Sequence, residues 1–290
     1  MTALDLNALK TYRALTYRLN PGQQLSSLPE AVDYVKSRGF SYFWPIKGID
    51  FPSLWTAVAG DRPVANAHDD PGHMTWGWKD GSLGKRLWYY GKILRKKATM
   101  INLEVAPYFY ALSENYGDPA EDVLIQYHEG HLTQEAKAIF EALLDNGPLD
   151  TIAIRRKTRM TSKESNYRYD RAITLLQSDF KILPVGISDA GAWRYAFIYD
   201  LVHRYYPEIP AAARHIGERK ARQKLTETYF KSVGTAQFRD VSLLFQWPKS
   251  ETEKAIQQLV STHKLIPNLK NDQRKGEWFA LPELVDFSAQ

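Results

Sequence analysis

The 290-residue chain is 44% hydrophobic and 13% aromatic, enough for one large core or for two or three small ones, and its 24% of charged residues speaks for folding rather than disorder. Lys and Arg exceed Asp and Glu by five, 38 against 33, an excess that suits a nucleic-acid binder without demanding one. Cysteine is absent, which excludes a disulfide scaffold, a thiolate zinc site and a cysteine nucleophile. No apolar stretch reaches the roughly 20 residues needed to span a bilayer, and the opening residues from Met1 to Asn7 lack the basic-then-apolar order of a signal peptide. A cytoplasmic protein with no membrane partner is the expectation.

In chain order, Pro29 to Arg38 carries a helical pattern, Phe40 to Ile49 is aromatic and loop-like, and Pro52 to Ala59 is helical again. Gly84 to Lys97 reads as a basic aromatic helix, with Trp88, Tyr89 and Leu94 favoured as core. Met100 to Tyr110 reads as a strand leading into a short helix.

The middle is the most regular part. Ala136, Ile139, Phe140, Leu143 and Leu144 share one helical face, with Thr133 as N-cap and Asn146-Gly147-Pro148 as stop. A short helix from Leu149 to Lys157 opens at Asp150. After a tight turn, Ser162 caps a third helix running to about Phe180, with Tyr169, Ile173 and Leu176 inward. Lys181 to Ile187 reads as a strand, Asp189 to Gly191 as a turn, and Trp193 to Tyr199 as the returning strand. Helix, short helix, turn, long helix and hairpin is the order of a winged helix-turn-helix.

His203 to Gly217, with Pro207 and Pro210, reads as a linker, and 111–131 as another joint. Beyond it the order repeats. Glu218 to Ser232 is an amphipathic helix ended by Gly234, Thr235 to Phe245 a shorter helix, and Glu251 to Thr262 a third. Leu265 leads through Asn271-Asp272 and Lys275-Gly276 to a strand at Glu277 to Leu281. The pattern predicts an α+β, mainly helical fold of tandem winged helix-turn-helix modules. They divide into an elaborated first module over 1–115, a central one over 116–203 and a C-terminal one over 204–290.

The third helix of such a motif enters the major groove by its N-terminal end. That makes Arg155, Arg156, Lys157, Ser162, Lys163, Asn166, Arg168 and Arg171 the candidate duplex DNA contacts. Arg and Asn pair naturally with the edges of guanine and adenine. In the first third, Lys92, Arg95, Lys96 and Lys97 join them, beside Lys85 and Arg86. The alternative is a solvated basic face, and winged helices also serve as protein-binding modules. His68, Asp69, Asp70 and His73 look ligand-like, but Pro71-Gly72 places a turn between them and no further ligand set stands out, so no metal is expected. No phosphate-cradling loop, nucleophile elbow or deaminase pattern is present, and no small-molecule cofactor is called for.

Phe51 to Gly60, His73 to Trp78 and Gly147 to Leu149, in this order between basic segments, resemble the AlkZ/YcaQ-type DNA glycosylases over most of the chain. The resemblance implies tandem winged helices folded into a C-shape around duplex DNA, with hydrolysis of the glycosidic bond of alkylated purines. It also implies a small β-barrel, for which this chain is too short, so a reduced or missing barrel is expected. The family's catalytic Gln-x-Gln or Gln-x-Asp follows the first helix and its Gly-aromatic turn; counted from Gly39-Phe40, it falls on Tyr42-Phe43-Trp44. Neither Gln nor Asp stands there, although hydrolysis needs a polar group that positions water. Tyr42 and Trp44 occupy the positions. Asp50, the one carboxylate in the loop, is the candidate for a displaced acid or base, against the plainer role of capping the helix at Pro52; Lys47 needs strong desolvation to act as a base. Enzymatic chemistry is therefore left open. Recognition of damaged duplex, a transcriptional regulator and a protein-binding scaffold are the readings carried forward.

Overall fold

The computed structural model describes residues 3–191, 194–269 and 275–286. It is an α+β fold, about half of it helical. Strand β1 (Ala3–Leu4) and helix α1 (Leu6–Thr16), whose N-cap Asp5 accepts from Asn7 and Ala8, precede the first repeat. That repeat comprises α2 (Leu28–Arg38), β2 (Phe40–Tyr42), α3 (Leu54–Ala59), α4 (Met74–Ser82) and the hairpin of β3 (Tyr89–Lys92) with β4 (Ala98–Ile101). Helices α5 (Ala106–Tyr110) and α6 (Pro119–His128) lead to the second repeat, so residues 111–131 contain a helix rather than only a joint.

The second repeat has the same order: α7 (Gln134–Asn146), β5 (Leu149–Asp150), α8 (Thr151–Lys157), α9 (Asn166–Ser178), β6 (Ile182–Ser188) and β7 (Ala196–Leu201). Helices α10 (Val202–Tyr205) and α11 (Glu208–Ala213) follow. The third repeat runs α12 (Glu218–Val233), β8 (Thr235–Ala236), α13 (Phe238–Phe245), α14 (Lys249–Ser261), β9 (Ile266–Leu269) and β10 (Trp278–Ala280). Strand β11 (Val285–Asp286) returns to pair antiparallel with β1.

Each repeat closes one three-stranded sheet in which the last strand lies in the middle: β2-β4-β3, β5-β7-β6 and β8-β10-β9. Each also breaks its first helix in the same way. Gly39, Gly147 and Gly234 end α2, α7 and α12 with φ of 78°, 79° and 77°, then lead into the short strand. A side chain in this left-handed region costs about 1 kcal/mol or more, and the turn it makes aims the strand back along the helix. Gly39 has a second reason to be glycine, since a Cβ there would overlap the Thr228 methyl on α12.

The second repeat holds a core of its own, with Ile139, Phe140, Leu143, Ile154, Ile173, Leu176 and Leu201. The first repeat also has a small core of its own, with Ala31, Tyr34, Val35, Leu54, Ala57 and Met100, and a larger core joins the first and third. Phe40 on β2 is fully buried and touches Phe51, Phe109 and Phe245 at centroid distances of 5.2, 5.2 and 6.0 Å. Helix α1 docks on the third repeat, where Tyr12 Oη donates to the Lys231 carbonyl (2.8 Å) and Arg13 Nε to that of Val233 (2.9 Å).

Several expectations need correction. Gly84 to Lys97 is not a helix; β3 pairs with β4, and Arg86, Arg95 and Lys96 take positive φ, which a helix forbids. His203 to Gly217 is no loose linker, because Val202, Tyr206, Ile209 and Ala213 are buried in the shared core. Leu149 and Thr235 belong to strands that the backbone glycines launch, and Leu144 faces out. Asn271 and Asp272, and Trp193 at the start of the returning strand, lie outside the described residues.

Replacing Gly39 by Ala is expected to cost about 2–4 kcal/mol, the sum of the backbone penalty and the overlap. In urea titrations, Gly39→Ala with Thr228→Ser should recover part of the loss, whereas Thr228→Ser alone should cost less than 1.5 kcal/mol, roughly a conservative trimming.

Candidate nucleic-acid interface

Helix α8, the turn after it and the start of α9 carry the densest run of cations. Asp150 caps α8 by accepting from Ala153 (2.8 Å), and Arg159 turns the chain with φ 57°. Ser162 does not cap as expected. It opens a 3-10 turn over Lys163–Ser165 without a side-chain cap bond, and α9 begins only at Asn166.

The predicted contact residues divide into two groups. Arg155 is committed to the fold: its guanidinium lies 3.8 Å from the Tyr169 ring centroid, donates to the Met160 carbonyl (3.1 Å) and Asn166 Oδ1 (2.9 Å), and pairs with Asp170 at 3.6 Å. Asn166 is thereby engaged as well. Arg168 pairs with Glu135 at 3.0 Å, but its side chain is 62% exposed, and such a pair is worth about 0–1 kcal/mol, little enough for a phosphate to displace. Arg156, Lys157, Lys163 and Arg171 are exposed, with no side-chain hydrogen bond or ion pair among the described residues.

The first-repeat hairpin divides likewise. Lys92 donates from its backbone to Gln177 (3.1 Å) and from Nζ to Thr174 (3.2 Å), both on α9. Arg95 donates to the Leu243 carbonyl on α13 (2.7 Å). Lys96 and Lys97 are exposed and make no such bond among the described residues. The hairpin thus bridges all three repeats and leaves two lysines outward.

Tyr42 and Trp44 offer little toward water activation. Tyr42 is fully buried, and burial pushes its phenol well above the usual range. Its hydroxyl and the Trp44 indole N–H are buried without a partner among the described residues. Asp50 is not the cap of the following helix; Ser53 is, accepting from Thr56 (3.0 Å). The Asp50 carboxylate instead meets Arg13 at 2.5 Å and accepts from the Tyr17 hydroxyl at 3.0 Å, tying the loop to α1. Lys47 is exposed. The Asp70 carboxylate is taken by Arg62 (2.6 Å) and by the Gly72 N–H (2.8 Å), and His73 Nε2 lies 2.9 Å from the Ala65 carbonyl.

Two groups escaped the sequence reading. Lys79 on α4 is almost fully buried in an aromatic cage. Its Nζ lies 4.7 Å from the Trp76 centroid and 4.9 Å from that of Phe197, with the Phe43, Tyr90 and Tyr195 rings within 6.0 Å. It pairs with Asp80 (2.8 Å) and donates to Tyr195 Oη (3.1 Å), which itself donates to Asp80 (3.0 Å). Burial lowers the lysine's pKa, with Asp80 opposing the shift. The cluster clasps the first repeat to the hairpin of the second. The other group is Asp179, at the end of α9. Desolvation raises its pKa, while Lys181 pulls it down; no hydrogen bond or ion pair to its carboxylate exists among the described residues. A sequence offers no periodic signal for either.

A family described as AlkZ related matches residues 25–246, which is most of the chain. The chain belongs to the AlkZ-related family. Among solved structures, it is similar to the Streptomyces sahachiroi DNA glycosylase AlkZ, with a TM-score of 0.58 at 14% sequence identity over 97% of this chain and 71% of that one. No match was found among curated proteins. At that identity, the likeness to the Streptomyces structure is one of fold. This AlkZ-related chain shares that fold, and its Tyr42 and Phe43 are buried. Among the described residues, no helix is long and apolar enough to cross a membrane.

Lys79→Ala should lower stability by about 2–3 kcal/mol in chemical denaturation, because it strands Asp80 and opens the cage. Asp179→Asn should raise the melting temperature at pH 7 by roughly 2–4 °C for each kcal/mol of relieved desolvation. Asp179 is raised in the folded state, so its penalty is present above the folded pKa and vanishes as pH falls to the ordinary carboxylate value of 3.8. The advantage of the Asn variant should therefore shrink as the pH is lowered toward 4.

Proposed function

We propose that this AlkZ-related chain binds duplex DNA through three winged-helix modules, over 1–115, 116–203 and 204–290, arranged as a C around the duplex, and that it recognises damaged DNA. The observation that carries this reading is the threefold recurrence of one topology, helix–glycine–strand–helix–helix–hairpin, with uncommitted cations at the groove-entering end of α9 and at the tip of the first hairpin. In a winged helix these are the parts that meet DNA: the third helix enters the groove, and basic side chains neutralise phosphate.

The spacing supports the same reading. Lys92 fastens the hairpin to Thr174, in the last turns of α9, while Lys163 and the α8 cations stand at its start. Thirteen residues of helix span about 20 Å, so the two cationic sets sit at opposite ends of a rod as long as a duplex is wide. Exposed Tyr167 lies between Asn166 and Arg168 at the same end and supplies an apolar face for a base edge or a distorted step.

The Streptomyces relative is a DNA glycosylase. In this chain, Tyr42 and Trp44 make the family's loop a hydrophobic support, and Asp50 anchors α1, so base excision by that loop is not part of the proposal. A transcriptional regulator has no specific observation in its favour.

Fluorescence anisotropy with a short duplex tests the reading. Arg156→Ala, Lys163→Ala and Arg171→Ala combined should weaken binding at least tenfold. They should also reduce the slope of log K against log salt by roughly 0.9 for each phosphate that is no longer neutralised, two to three in all. Lys231→Ala, at a cation that pairs with Glu227 within α12, should change neither. Salt-independent affinity, or a triple variant as tight as the wild type, would refute duplex binding by this face.

A further inference from the structure

The three repeats meet around a cavity of about 490 Å³ that the family's loop does not enter. Its walls come from the first-repeat hairpin, the end of α9, the segment after α5 and the turn between α13 and α14. That volume is in the range of small-ligand sites, although the lining is more polar than most of them, with apolar and polar side chains in equal number. Phe109, Leu112, Phe245 and Trp247 form the apolar wall, with Phe245 and Trp247 stacked at 4.2 Å.

The backbone around the cavity is unusual. Four of the ten non-glycine residues with positive φ among the described residues line it: Arg95 (52°), Lys96 (58°), Phe180 (53°) and Gln246 (57°). Glycine is the ordinary occupant of such positions. Side chains retained there against a backbone penalty point to a use for what they reach, and strain of this kind gathers at ligand sites.

The polar lining is equally uneven. Arg95 is committed to the Leu243 carbonyl, and His131 Nδ1 to Glu114 Oε2 at 3.0 Å. Lys181, the nearest cation by sequence, gives its ammonium to the Glu114 carbonyl (3.3 Å) and Asn115 Oδ1 (2.9 Å) rather than to Asp179. Two charged groups facing the cavity, Asp179 on the wall and Lys96 at the hairpin tip, make no hydrogen bond or ion pair through their side chains among the described residues. A ligand that fits must be flat and apolar on its faces, donate hydrogen bonds to a carboxylate, and offer an acceptor to an ammonium.

We propose that this cavity binds a guanine ring, with the adjacent ring N–H and exocyclic amine donating to the two oxygens of Asp179, and Lys96 on the acceptor edge. Among nucleobases, guanine alone sets two donors side by side opposite a carboxylate, while its O6 and N7 form a separate acceptor pair. Adenine lacks the ring N–H. The choice of a nucleobase over other flat donors rests on the DNA reading above. The ring's source is either a free nucleoside or a guanine extruded from a duplex, and the chemistry at Asp179 is the same for both.

Calorimetry on the full chain tests it with guanosine and adenosine as probes, beside anisotropy on duplexes with one mispaired or no mispaired guanine. Guanosine should bind saturably and at least tenfold more tightly than adenosine, or the mispaired duplex tenfold more tightly than the matched one. The first result marks a free-nucleoside site and the second an extruded base. In either case Asp179→Asn should erase the preference while melting no lower than wild type, so that unfolding does not account for the loss. Absence of both preferences, or a preference unchanged in Asp179→Asn, overturns the proposal. If duplexes bind in a salt-dependent way but neither preference appears, the cavity inference fails alone. If guanosine binds and no duplex does, the DNA reading fails and the site stands.

Discussion

The arrangement depends on one shared core. Phe40, the first residue after the Gly39 turn, is buried against Phe51 of its own repeat, Phe109 of the following helix and Phe245 of the third repeat. A buried aromatic ring contributes several kcal/mol, and here one ring is counted in three structural units at once. The first and third repeats are therefore not beads on a string. Their separation in the sequence, some two hundred residues, is closed by β1 on β11, by α1 on α12, and by this wedge. The second repeat keeps its own core and joins through Phe180, which stacks on Tyr89 at 4.7 Å, and through the Lys79 clasp.

The proposed binding of duplex DNA would gain from modules joined in this way. Cations on independently moving modules lose entropy when they converge on one duplex; cations on modules locked through a common core do not. The first hairpin shows how the two tasks share residues. Lys92 and Arg95 are turned inward to fasten α9 and α13, while Lys96 and Lys97 remain outward. The same division separates Arg155 from Arg156 and Lys157. Half of each basic segment holds the fold, and the other half stays exposed.

Much of this is legible in the sequence. The α7 face apart from Leu144, the Thr133 cap, the Gly147 stop and the inward Tyr169, Ile173 and Leu176 follow from helical periodicity and capping chemistry, and they stand as read. The family is legible too, from scattered motifs. The hairpin at Tyr89–Ile101 is not, because its aromatic and basic residues also satisfy a helical spacing, and positive φ at Arg95 and Lys96 leaves no mark in residue type. Short strands such as Leu149–Asp150 and Thr235–Ala236 merge into neighbouring helices for a related reason: two residues are too few to show a period of two. For the site residues, residue type marks the position of every cation but not its commitments. That Arg155 is held by Tyr169 and Asn166, that Lys79 sits in a cage of rings from two repeats, and that Asp179 lacks an ion-pair partner among the described residues are all facts of long-range contact.

The most direct measurement is native-state hydrogen exchange followed through increasing denaturant, comparing amides of β2 and β4 with those of α12 and α13. With one core common to the first and third repeats, the most protected amides of both should open together, converging on a single free energy and a single denaturant dependence. Two distinct opening energies, with the first repeat exchanging while the third stays closed, would show that the repeats are separate folding units and would contradict the account.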